Sequence, residues 1–101
     1  MNMIIIVVGS ILAKTDTLNE LLAMSLKHSR RSRTEPGCLA HALHQDAENP
    51  LRLVFVEEWS DRKALAAHFT LPASRAFVKA ASPLAAEPPE MNIYEATAIK
   101  V

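Results

Sequence analysis

The chain is predicted to fold as an α+β sandwich in which strands and helices follow the order β-α-β-β-α-β. Three patterns predict this. Met3 to Leu12, MIIIVVGSIL, is an unbroken apolar run rich in β-branched residues. Helix-spaced apolar residues follow it, and two alternating runs then flank the turn-forming Asp46-Ala47-Glu48-Asn49-Pro50. A second helical region and a last strand complete two βαβ halves joined by a hairpin. That is a ferredoxin-like sandwich, four antiparallel strands with helices on one face.

Each element has its own warrant. Ile and Val favour the pleated conformation, and continuous apolarity predicts a central strand covered on both faces. Gly9 within it marks either a bulge or a close approach by another group. Thr17-Leu18-Asn19-Glu20 has the form of a capping box. Leu18, Leu21, Leu22, Ser25, Leu26 and Ser29 then recur at helical spacing as one stripe. Lys27, Arg30, Arg31 and Arg33 crowd the helix C-terminus, where cations complement the helix dipole, and read as a solvated end.

Glu35-Pro36-Gly37 turns the chain. From Cys38 to Gln45 the alternation puts Leu39, His41 and Leu43 on one face and Cys38, Ala40, Ala42 and His44 on the other. Leu51 to Trp59 splits likewise into Leu53, Phe55, Glu57, Trp59 and Arg52, Val54, Val56, Glu58. Ser60 or Asp61 caps a helix carrying Leu65, His68 and Phe69 on one side. Pro72 interrupts that helix and suits the first turn of another, whose expected buried stripe is Ala73, Ala76, Phe77 and Ala80. Pro83 and Pro88-Pro89 end the helical region, and Met91 to Val101 is the last strand. Val54, Val56 and Ala42 leave an apolar sheet face that predicts a sheet-to-sheet homodimer.

Composition narrows the function. At 101 residues, the chain suits one domain with its own core. Eleven basic and eleven acidic residues balance, which argues against nucleic acid as a partner. The single cysteine, Cys38, excludes an intramolecular disulfide and any multi-cysteine zinc site, and fits a reducing compartment. No positive charge precedes the apolar start, and that run falls short of the roughly 20 residues that span a bilayer. The expectation is a cytoplasmic protein without a membrane partner.

The residues that carry chemistry lie between Glu35 and His68. Glu57 shares a face with Leu53, Phe55 and Trp59, so its carboxylate must be bonded there or act as an acid or base at the edge of an apolar pocket. His68 and His41 are candidates for the same space, with Trp59 as an aromatic wall whose indole N–H can bond. His41 and His44 are three residues apart on a strand and point to opposite faces, so no metal site is expected. Dinucleotide, phosphate-loop and nucleophile-elbow motifs are absent from the sequence.

Taken together, EPGCL at Glu35 to Leu39, FVEEW at Phe55 to Trp59, ALAAH at Ala64 to His68 and PLAAEPPE at Pro83 to Glu90 resemble the antibiotic biosynthesis monooxygenase family over nearly the whole chain. The resemblance implies a dimeric α/β barrel with a pocket between sheet and helices in each subunit. It also implies a monooxygenase that oxidises a small aromatic or quinol with molecular oxygen, using neither metal nor other cofactor. His68, Glu57 and His41 are then the catalytic candidates, and Trp59, Phe55, Phe69 and Phe77 the substrate-binding ones. Two positions depart from the family: Ala73 stands where members often have histidine, and His41 where many have an aromatic residue. The asparagine and late-helix histidine of haem-degrading relatives are missing from Met3–Ala13 and Ala73–Ala81. Two other readings use the same fold: an isomerase or proton-transfer enzyme acting on a small carbonyl metabolite, or a non-catalytic dimeric ligand-binding module.

Overall fold

The computed structural model describes residues 3–101. Strand β1 (Ile4–Leu12) leads to helix α1 (Leu18–Ser32), the hairpin β2 (Cys38–Gln45) and β3 (Arg52–Trp59), helices α2 (Arg62–Thr70) and α3 (Pro72–Ala81), and β4 (Glu90–Ala96). The sheet order is β2-β3-β1-β4 and every neighbouring pair is antiparallel. This is the expected ferredoxin-like sandwich, with β1 central. The sheet stays open, with β2 and β4 as edges, so one chain does not close a barrel.

The inward sheet face follows the pleat. Ile5, Val7 and Ile11 of β1 and Leu53, Phe55, Glu57 and Trp59 of β3 are all buried. Trp59, Leu53 and Val7 are fully enclosed, and burial of each such side chain stabilises the fold by roughly 1.5–3 kcal/mol. Two apolar clusters result. One joins Ile11, Ala13, Leu21, Leu53, Phe55 and Ala81; the other joins Ile5, Val7, Trp59 and Leu65. His41 lies between them, its ring 5.7 Å from Phe55 and 6.3 Å from Trp59.

Five local expectations need correction. Thr17 begins α1 without a side-chain cap; its hydroxyl donates instead to the Leu84 carbonyl at 2.7 Å, tying the helix start to the chain after α3. In β2 a register shift between Cys38 and Ala40 breaks the alternation. Leu39 is pushed outward and Cys38 packs inward against the Trp59 cluster. The buried stripe of α3 is Ser74 and Ala81 with half-buried Phe77, because the helix turns Ala76 and Ala80 to solvent. The last strand stops at Ala96 rather than running to Val101. Finally, β1 is covered on one face only: Val8 is exposed, and Ile4 and Ile6 are half-exposed on the outer side.

Other signals fold as read. Asp61 accepts from the Ala64 amide at 2.8 Å and caps α2. Pro72 occupies the first turn of α3, where its missing N–H costs nothing. Among the described residues no helix is long and apolar enough to cross a membrane.

Candidate functional site

A cavity of about 540 Å³ opens between the helices and the sheet, with Phe55, Phe77, Phe69, His28, Glu57 and His68 among its lining residues. That size accommodates a small aromatic molecule. β4 forms part of the rim through Glu90 and Met91. Gly9 of β1 also lines the cavity; it is neither a bulge, since the pairing with β3 and β4 runs through it in register, nor a forced close approach, since an added Cβ would meet the Glu90 carbonyl at an ordinary 3.6 Å.

Two imidazoles, a carboxylate and an indole meet at the back of this opening. His41 Nε2 is 3.4 Å from Glu57 Oε2, and the Trp59 indole donates to Glu57 Oε1 at 3.0 Å. His68 lies under the Trp59 ring, centroids 4.6 Å apart. The alternation of β3 thus brings Glu57 and Trp59 to His41 and His68, as the sequence suggested. Trp59 and His41, however, are enclosed one layer behind the cavity and line none of it. Trp59 holds Glu57 rather than forming a wall.

Ring orientations are fixed from outside the cluster. Ser29 Oγ lies 2.7 Å from His41 Nδ1 and 3.0 Å from the His41 carbonyl, and its single proton can serve only one of them. Arg33 already donates to that carbonyl, and the carboxylate of Glu57 faces His41 Nε2 at 3.4 Å, an arrangement that suits a proton on Nε2 with Ser29 donating to Nδ1. Nε2 is buried and makes no well-formed hydrogen bond. His68 Nδ1 donates to Glu35 Oε1 at 2.8 Å, both side chains being almost fully buried. The basic atom of His68 is then Nε2.

Glu35 reaches His68 because the EPG turn is pressed onto α2. Gly37 has φ of +80°, and a Cβ there would lie 2.5 Å from the Ala64 Cβ and 2.8 Å from Ser60 Oγ. The Ser60 amide donates to the Gly37 carbonyl at 2.8 Å. On the far side of this turn lies a second, smaller hollow of about 370 Å³, lined by Glu35, Gly37, Ala64 and His68 among others. His68 therefore borders both spaces.

The electrostatics follow from burial. For Glu57, desolvation alone would raise the carboxyl, but contact with His41 and the Trp59 hydrogen bond outweigh it and hold the group below its usual range. Burial, then the neighbouring His41, His68 and Arg31, depress His28 to about 3. Cys38 is pushed up by burial and by the charges of Glu35 and Glu57, so it stays a thiol.

The antibiotic biosynthesis monooxygenase family model matches residues 4–80, from β1 through most of α3. The chain belongs to that family. An uncharacterised protein from Synechocystis is 36% identical over 91 residues, 90% of this chain; the match spans 62% of the relative's length. A conserved protein from Methanosarcina mazei superposes with a TM-score of 0.87 at 26% identity, covering 91% of each chain. A Deinococcus radiodurans structure gives 0.91 at 24% identity over 96% of this chain and 97% of its own, a likeness of fold.

In this family member the sequence reading overlooked two groups. His28 was hidden in the basic end of α1, yet it continues the Leu21, Ser25 stripe at helical spacing and is buried with Ser29 and Ser32. Its ring stacks flat on Phe77, centroids 4.2 Å apart. Glu35 sits in a turn sequence that gives no sign of its contact with His68. The basic run is also less solvated than expected: Arg31 Nη2 donates to His28 Nδ1 at 2.6 Å, and Arg33 Nε donates to the His41 carbonyl at 2.8 Å. Phe69, at the rim, is 39% exposed; Phe55 and Phe77 line the interior as anticipated, and His44 faces solvent.

Proposed function

We propose that this protein oxidises a small aromatic or quinol-type substrate with molecular oxygen, the substrate itself supplying the electrons. The carrying observation is His68: Glu35 accepts the hydrogen bond of its Nδ1–H, leaving a basic Nε2 on a residue that lines an aromatic cavity. His68 removes a hydroxyl proton, and the resulting electron-rich anion reduces oxygen without flavin, metal or haem. For oxidation of a ring CH₂ to a carbonyl, one oxygen atom enters the product and the other leaves as water, with both hydrogens accounted for. Phe55 and Phe77 shield the anion from solvent, which strengthens electrostatic control of the step. Glu57, kept ionised beside His41, sets the field around the ring. Membership of a family named for monooxygenases supports this reading.

We also propose a homodimer formed through the outer sheet face, where Val8, Val54, Val56 and Tyr94 lie uncovered or partly so. Oxygen uptake with a panel of quinols tests the activity. Wild type is expected to consume oxygen, and His68→Ala to lose about 10²–10⁴ of the rate, the usual contribution of a positioned base. Equal rates in the two proteins would reject it. Turnover of a carbonyl substrate in the absence of oxygen would favour the proton-transfer reading instead.

A further inference from the structure

We infer that His28, His41 and His68 form a binding site for one divalent transition-metal ion of the zinc, cobalt or ferrous type. This goes beyond the oxygenase reading and does not depend on it. The three histidines come from α1, β2 and α2, all are buried, and each offers a ring nitrogen within 4.8 Å of the other two. Neutral imidazole is a favoured donor for such ions, and three of them with one open position make a familiar coordination set. Tetrahedral coordination at about 2.0–2.1 Å brings ligand nitrogens to roughly 3.3 Å apart, so the side chains close inward by about an ångström around the ion.

One of the ligands is already presented in the required form. A metal-binding histidine donates its second ring N–H to an acceptor, which fixes the ring and exposes the other nitrogen. His68 does this to the Glu35 carboxylate, and Ser29 Oγ, 2.7 Å from His41 Nδ1, can accept from that ring once an ion takes Nε2. His41 Nε2 is buried and makes no hydrogen bond, a costly state that an ion in the space before it would relieve. Glu57, 3.4 Å from that nitrogen, places negative charge beside the incoming dication. The cavity bordered by His28 and His68 provides entry and room for a water ligand.

His28 is set differently. Arg31 can only donate, so its bond to His28 Nδ1 places the ring proton on Nε2 while the metal is absent. For Nε2 to ligate, that proton must be displaced and the Arg31 contact released. Arg31 is thus a competitor of the ion, both through this bond and through its charge. A bound ion would also use the Nε2 lone pair of His68, so occupancy and proton abstraction by His68 are alternatives.

The test is titration of chelator-treated protein with Co²⁺, read by visible absorption and by the rise in melting temperature. One ion per chain, with the intense bands of a four- or five-coordinate site, is expected. His41→Gln and His68→Gln should weaken binding by more than about a hundredfold, and Glu35→Gln by about 10–100-fold as the outer partner is altered. His44→Gln should leave binding unchanged. Arg31→Gln should tighten it, a gain that a folding defect cannot mimic if another variant proves unstable. Faint spectra of the aqueous type, binding that survives His41→Gln, or binding lost in His44→Gln would each overturn the site. Oxygen uptake by the chelator-treated protein reports separately on the oxygenase reading.

Discussion

At the scale of single residues, the site is defined by which nitrogen of each histidine is spoken for. Alternation along the hairpin made Glu57, Trp59 and His41 legible as neighbours, since a period of two leaves no choice of face, and the helical face shared with Leu65 brought in His68. His28 was not legible in the same way. It sits in a stretch whose sequence is dominated by Lys27, Arg30 and Arg31, and only helical spacing from Leu21 and Ser25 places it inward. Its burial has a measurable consequence in metal-free protein. His41, Glu57, His68 and Arg31 surround it from β2, β3, α2 and α1, and the folded ring takes a proton only near pH 3, whereas the unfolded ring does so near 6.5. Between those values the unfolded chain binds more protons, so stability falls as pH drops below 6.5, by at most about 1.4 kcal/mol per pH unit for this one group. Glu57 acts in the same direction at lower pH, because its depressed carboxyl loses its contribution below the unfolded value of 4.5. Urea midpoints measured from pH 7.5 to 5 should decline for wild type and decline less for His28→Gln. Identical slopes would count against the buried neutral ring.

At the scale of elements, the β-α-β-β-α-β order was readable because every segment carries its own period and its own punctuation. What the sequence concealed were contacts that cross between elements. The bulge that turns Leu39 outward, the hydroxyl of Thr17 on Leu84 and the outward rotation of Ala76 all depend on a partner distant in the chain. The EPG turn shows the point most clearly. Its composition announces a turn, but only packing against Ala64 explains why the third residue is glycine and why Glu35 ends at His68. Gly37→Ala places a Cβ inside that contact at a positive φ, so it should cost at least about 1–3 kcal/mol. The same change moves Glu35 from His68, so both the urea midpoint and the oxygen uptake should fall. A stable, fully active Gly37→Ala protein would disprove the link between turn and base.

At the scale of the molecule, half of the sheet is packed and half is bare. The inward face is packed under the helices over β1 and β3, while Met91 and Ile93 of β4, paired with Gly9 and Val7, stay half exposed. The outward face, with Val54, Val56, Ile6 and Tyr94, keeps apolar surface that the 50% hydrophobic composition already hinted at. Sedimentation at micromolar concentration should show a dimer for wild type. Val56→Asp, which lies on the outer face away from the cavity, should give a folded monomer, with unchanged helical and sheet content by circular dichroism. A wild-type monomer would remove the pairing from the account.

The second hollow behind Glu35 gives His68 a back door. The carboxylate borders that hollow and the imidazole borders both spaces, so two side chains span the partition between them. On the proposed oxygenase reading, substrate and oxygen would occupy the aromatic room at the front while the proton released would depart by way of Glu35 at the rear. The anion of that reading would then never meet the solvent that receives its proton.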